Sequence, residues 1–242
     1  MSTETRQLTV AGLSVEVVRK GIKNLHLGVY PPHGRVRVAA PLAVSDEAVR
    51  MAVIGKLAWI RRQRARFAAQ PRQSKRDVVS GETHYILGRR YRLNVVEHDG
   101  PPRLTLRGHA KATFLVRPGT TADQRERLLA EWYRGKLKAL IPPLLAKWQA
   151  RLGVEPAAWG VKKMKTKWGG CNPVTRRLWF NLELAKKPAP CLEYIIIHEL
   201  AHLLSRHHDD RFIAIMDRHL PQWQATRRLL NAMPLAHETW DH

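Results

Sequence analysis

Residues 195–212, IIIHELAHLLSRHHDDRF, constrain this chain more than any other stretch. The leading isoleucines and Leu200, Leu203 and Leu204 recur at helical spacing, so His198, Glu199 and His202 are expected on one helix. Positions four apart share a helix face, which lets His198 and His202 aim both imidazoles at one divalent ion. Glu199 then stands beside that ion, where a carboxylate takes a proton from a bound water. Structural zinc sites are closed by four protein ligands, whereas a catalytic site takes three and leaves one position for water. The pattern therefore asks for a third ligand and for a fold that returns it to this helix.

The nearest candidate is His208, with His207, Asp209 and Asp210 as alternatives. The intervening LLSRH is too long to keep His208 on the same face of a continuing helix, since helical neighbours sit three or four apart. The helix is expected to stop or turn near Ser205. The extended zincin pattern usually has a glycine at such a bend, and Ser205 in that place makes a standard metzincin an unlikely match.

Composition limits the setting. A chain of 242 residues with 44% hydrophobic and 26% charged residues is that of a soluble globular protein of one large or two small domains. No apolar run approaches a membrane span and the start, MSTETRQLTV, lacks a signal pattern, so a cytoplasmic protein is expected. Two cysteines, Cys171 and Cys191, are too few for a disulfide scaffold and read as reduced thiols. The formal charge of +22 is uneven: residues 1–150 hold 28 Lys and Arg against 11 Asp and Glu, and residues 151–242 hold 14 against 9. Such a field attracts nucleic acid or nucleotides, or simply forms a solvated face.

Along the chain, 8–40 reads as short strands of a small antiparallel sheet, with Pro31, Pro32 and Gly34 in a turn. Ser45 is a candidate N-cap for one amphipathic helix running to about Gln70 and ending in the basic RRQRAR. Residues 71–80 look like a linker, and a second run of strands follows to Pro118. No internal repeat is visible. Thr121 is a candidate N-cap for a helical stretch that Pro142 and Pro143 are expected to break in two or bend strongly. From Trp159 to LWFNLEL the pattern predicts a hairpin, with Val161, Met164 and Thr166 alternating and a turn at 172–175. Gly169 and Gly170 would let another backbone approach it closely, and Lys162, Lys163, Lys165 and Lys167 make it basic. It is a natural edge for holding an extended peptide by main-chain hydrogen bonds. The metal helix should open at 189–191, near Pro188 and Pro190. Two more helical segments follow it, and His237 and His242 lie in a polar tail.

The fold class expected is α+β: a basic, antiparallel β-rich region with one helix over 1–118, then a mainly helical, zincin-like metal-binding domain with a small substrate-edge hairpin over 119–242. The blocks KTKWGGCN, LWFNLEL and YIIIHELAHLLSRHHDDRF, with LGRRY before them and PQW beyond, resemble the YgjP-like metallopeptidase-domain family, related to SprT-like and WLM zinc peptidases. Relatives usually have serine where Gly170 stands and often asparagine where His207 stands. The resemblance implies one Zn2+ held by His198, His202 and His208, with Glu199 as catalytic base and peptide bonds of a protein or peptide as substrate. Two other functions fit the residues: metal-dependent pyrophosphohydrolysis of a nucleotide, and a nucleic-acid-binding module with a structural metal.

Overall fold

The computed structural model describes residues 4–30, 34–69, 77–164 and 167–232. The turn at Pro31 and Pro32, most of the linker, Lys165, Thr166, His237 and His242 lie outside the described residues. The chain divides into two compact units, with the division after residue 72.

In the first unit, Ala11 and Gly12 are both left-handed, at φ 49° and 76°, and close a two-residue turn between β1 (Glu4–Val10) and β2 (Leu13–Lys20). Such a turn matches the right-handed twist of the strands it joins. β3 (His26–Tyr30) and β4 (Arg35–Pro41) pair as a second hairpin, and the sheet order is β1-β2-β4-β3. The antiparallel sheet expected from the sequence is therefore mixed, because β4 lies parallel to β2. Alternation fixes which face of a strand is buried and leaves its neighbour open. Here Val15 and Val17 meet Val36 and Val38 across the parallel pair and floor the unit's core.

Two helices cover that core. The Ser45 hydroxyl accepts the Ala48 N–H at 3.2 Å and caps α1 (Asp46–Gly55) as expected. The single helix expected over 45–70 is in fact divided, with α2 (Leu57–Ala69) starting after Lys56. Gly55, a poor helix former, ends α1, and the Lys56 N–H turns back to the carbonyls of Val53 and Ile54.

The second unit begins with the same plan. β5 (Thr83–Ile86), β6 (Arg89–Glu97), β7 (Arg103–Arg107) and β8 (Lys111–Val116) lie in the order β5-β6-β8-β7, with β6 parallel to β8. Leu87 and Gly88, at φ 47° and 81°, close the first turn. A hydroxyl-capped helix follows again: Thr121 accepts from Gln124 N, and the Gln124 side chain returns the bond, to open α3 (Ala122–Leu152). The backbone thus carries a repeat that the residues do not announce.

The boundary expected at 118 does not divide the compact units. Ile86, Leu93 and Phe114 of the second sheet are buried in one cluster with Leu129, Leu137 and Ile141 of α3 and with Ile196 further on, so sheet and helices share a core. α3 itself stays a single helix of 31 residues with Pro142 and Pro143 inside it. Burial of Tyr133, Leu137, Ile141, Leu145 and Trp148 along one side outweighs the hydrogen bonds the prolines forgo.

The expected hairpin is a three-stranded sheet in order β10-β11-β9. β10 (Gly169–Asn172) and β11 (Arg177–Asn181) form its antiparallel arm, and β9 (Ala158–Lys162) runs parallel to β11 on the far side. The Asn172 side chain accepts the N–H groups of Val174 and Thr175, which makes the predicted turn. After β11 the chain enters a 3-10 segment, Leu182–Lys186, rather than continuing as a strand. α4 (Ala189–Ala201), α5 (Asp210–His219) and α6 (Trp223–Ala232) complete the unit.

Two fastenings hold α4. The tip of the β5–β6 hairpin bonds to the 3-10 segment through Leu87 N–H to the Ala185 carbonyl, 2.9 Å, and Gly88 N–H to the Lys186 carbonyl, 3.1 Å. A Cβ on Gly88 would lie 2.7 Å from Pro188 Cγ, at the first cap of α4, so the hairpin docks there only because residue 88 has none. Glu193 of α4 then accepts Lys147 Nζ at 2.7 Å and Trp148 Nε1 at 2.8 Å from α3. Burial raises the Glu193 pKa, but these two donors outweigh it and hold the carboxyl below its ordinary range.

Candidate metal centre

α4 is apolar almost all round, with Ile195, Ile196, Ile197 and Leu200 buried, so its polar residues are held in a fixed frame. His198 and His202 project from it with ring centroids 4.9 Å apart. The helix ends at Ala201, and the Leu203, Leu204 and Ser205 N–H groups close tight turns onto Leu200 and Ala201. The expected stop near Ser205 is present. Among the described residues the left-handed non-glycines are Ala11, Val78, Leu87 and Arg176, so the bend is made without the glycine that a left-handed residue would favour.

The bend returns His208 to the helix. Its Nε2 lies 3.2 Å from Nε2 of His198, and its ring is 4.8 Å from that of His202. One ligand atom from each of the three lies within 4.8 Å of the others. Of the sequence candidates, His198, His202 and His208 are brought together; His207, Asp209 and Asp210 do not join the cluster.

The chemistry of this set suits a divalent ion. Burial and the neighbouring His202 and His208 push the His198 imidazole down to about 3, and burial lowers His202 as well, so both are held in the neutral form that binds metals. His202 Nδ1 is 3.1 Å from the Ser205 carbonyl, which only accepts; Nδ1 therefore carries the proton and Nε2 keeps a free lone pair. His198 Nδ1 is buried without a hydrogen-bond partner. Cys171 and Cys191 are free thiols, both pushed up to about 11 chiefly by burial, and neither joins the cluster.

Glu199, next to His198, is 4% exposed. Burial raises its carboxyl to about 8, partly offset by the Lys167 ammonium. What makes room for it is Gly169 at the start of β10: a Cβ there would collide with Glu199 Oε1. The glycine pair was expected to admit a backbone; at Gly169 it admits this side chain. Behind it, the buried Asn181 amide donates to the carbonyls of Met164, 2.8 Å, and Lys167, 2.7 Å, pinning the chain that leads into β10.

Residues 23–233 match the family described as YgjP-like, metallopeptidase domain. The chain belongs to that family. Membership supports a metal-dependent peptidase, and hence a hydrolase, at the level of the family. A comparison with curated proteins finds no match. Among solved structures, the YgjP-like domain is similar to the metallopeptidase zymogen abylysin of Pyrococcus abyssi, at 19% identity and TM-score 0.34, over 38% of this chain and 96% of that one. The zymogen jannalysin of Methanocaldococcus jannaschii stands at 21% identity and TM-score 0.34, over 37% and 92%. Among the described residues, no helix of the YgjP-like domain is long and apolar enough to cross a membrane.

The parts that Phe212, Asp209, Asn181 and Gly169 play at the centre were missed in the sequence. Phe212 packs against all three imidazoles, at 5.0, 4.8 and 4.7 Å between centroids, and is 2% exposed. Asp209, weighed as a ligand, instead caps α5 by accepting the Phe212 N–H at 2.9 Å, and Ser205 Oγ donates to the same oxygen at 2.8 Å. The signal was there: an aspartate three residues before an apolar one at a helix start is an N-cap pattern. Asn181 and Gly169 carry no comparable mark, because their role depends on what the fold brings opposite them.

Proposed function

We propose that this YgjP-like domain is a zinc-dependent metallopeptidase that hydrolyses peptide bonds with Glu199 as general base. The observation that carries the proposal is the convergence of His198, His202 and His208 beside a buried Glu199 at the head of an edge strand. A divalent ion held by those imidazoles would supply a Lewis acid for the scissile carbonyl and acidify a water. The protein's own part follows from the geometry. β10 stands at the edge of its sheet, so an extended peptide can add to it by main-chain hydrogen bonds. A divalent ion beside Glu199 would favour its carboxylate form, which then takes the proton of the attacking water and returns it to the leaving amine. Phe212 fills the space behind the imidazoles and keeps them from turning away. The bond-forming step thus takes place between a bound strand and a base fixed on α4.

The test is Glu199→Gln. One equivalent of zinc should remain bound, measured on the purified protein, while turnover of a mixed protein substrate falls at least about a hundredfold, the scale of general-base loss. Undiminished turnover would refute the role of Glu199. His208→Ala should lower zinc content itself; unchanged content would remove His208 from the ligand set.

A further inference from the structure

We infer that the outward face of the second sheet is a docking surface for the phosphate backbone of a nucleic acid. The register defines that face. Tyr91, Leu93, Ala112, Phe114, Val116 and Leu104 point inward and are buried, so their alternates point outward. Across the strands the outward residues fall into rows. Thr83, Arg92, Lys111 and Arg107 form one row over all four strands, directly paired. Asn94, Thr113 and Thr105 form the next, and Val96, Leu115 and Arg103 the one after. Arg90 pairs with Tyr85 at the other end and donates Nε–H to its hydroxyl at 3.1 Å. No outward position of these strands holds an aspartate or glutamate.

Three exposed cations side by side on adjacent strands repel one another, which is unfavourable in a sheet without an anion over them. The first sheet shows how the same backbone avoids this. At the matching place of its central parallel pair, Glu16 faces Arg37 and also bridges Arg35, at 3.5 and 3.3 Å. In the second sheet the pair is Arg92 and Lys111, and among the described residues no outward strand position supplies an acid beside them.

The face favours nucleic acid over other polyanions. Strands about 4.8 Å apart spread the three cations over roughly 10 Å, the length of about three steps of one nucleic-acid strand at 3.4 Å per step. The neighbouring row of amide and hydroxyls gives hydrogen bonds to sugars and phosphate oxygens. A bilayer surface would be met better by protruding apolar side chains, and this face offers only Val96 as an exposed one.

The experiment is fluorescence anisotropy of the full chain with labelled single-stranded RNA, single-stranded DNA and duplex DNA, titrated across a salt series. The triple variant Arg92→Gln, Arg107→Gln, Lys111→Gln should lose at least tenfold in affinity at 0.1 M salt. Its slope of log affinity against log salt should fall by about 2, the release expected for three phosphates of a single strand. An equal charge loss in the first unit, Arg61→Gln, Arg62→Gln, Arg64→Gln, should change affinity less than threefold. The single variant Lys111→Gln should fall between wild type and the first triple, which supports the surface even if the triple is poorly folded by circular dichroism. Equal weakening by both triples, no binding of any nucleic acid by wild type at 50 mM salt, or tighter binding to phosphatidylserine vesicles than to nucleic acid would each overturn the assignment.

Discussion

The two four-stranded sheets share strand order, strand sense and the left-handed turn that opens each. They differ in what lies on either side of that common backbone. The first buries one face in a small cluster with α1 and α2 and on the other pairs a largely buried Glu16 with Arg35 and Arg37. The second buries its inner face in the cluster that includes the metal helix, fastens its turn to Pro188, and leaves its outer face cationic. One arrangement of strands has thus served once in a module with its own core and once as part of the wall behind the proposed metal centre. Topology says how strands connect; the side chains on the two faces decide what they are for.

The cores offer the sharpest way to break this contrast. Phe114→Ala in the second sheet should cost about 3–5 kcal/mol and carry zinc content down with it. Ile60→Ala in the first unit's cluster should cost about 2–5 kcal/mol while zinc content stays at one equivalent in the cold. Calorimetry with metal analysis on the same samples checks both. Loss of zinc in the Ile60 variant below its transition would show the first unit to be part of the centre's support.

The paired turns give a smaller effect. Gly12→Ala meets nothing within 4 Å and should cost only the left-handed strain, about 1–2 kcal/mol. Gly88→Ala adds the collision with Pro188 and should reach about 2–4 kcal/mol, with weaker zinc retention. Urea unfolding separates the two, and equal costs would mean that the second turn is not fastened to α4. The outer faces give the smallest effect. Lys111→Glu should stabilise by about 1 kcal/mol or less at low salt, the difference fading near 1 M salt. A Lys111→Glu variant that melts lower at low salt would contradict the repulsion across Arg92 and Arg107.

Much of the centre was legible because its chemistry is local. His198, Glu199 and His202 are spaced by one helix, and Ser45, Thr121 and Asn172 act through neighbours two or three residues away, so their placement shows in the chain. What escaped depends on partners far along it. The parallel pairing of β2 with β4, the shared core of Phe114 with Ile196, and the clearance of Gly169 for Glu199 each join segments that carry no mutual mark. α3 illustrates a third case. Pro142 and Pro143 give a true local signal against a continuous helix, and the burial of Tyr133, Leu137 and Ile141 overrides it.

The third imidazole does not belong to the helix that carries the other two; it hangs on the cap of the next one, through Ser205, Asp209 and the Phe212 N–H. The proposed ligand set is therefore split across a joint. Fraying of the first turn of α5 would withdraw His208 and Phe212 together while α4 stays folded in its apolar frame. Exchange of an ion held by the proposed ligands would be governed by local opening of that turn, and protection of the Phe212 amide from hydrogen exchange would gauge how firmly it is kept.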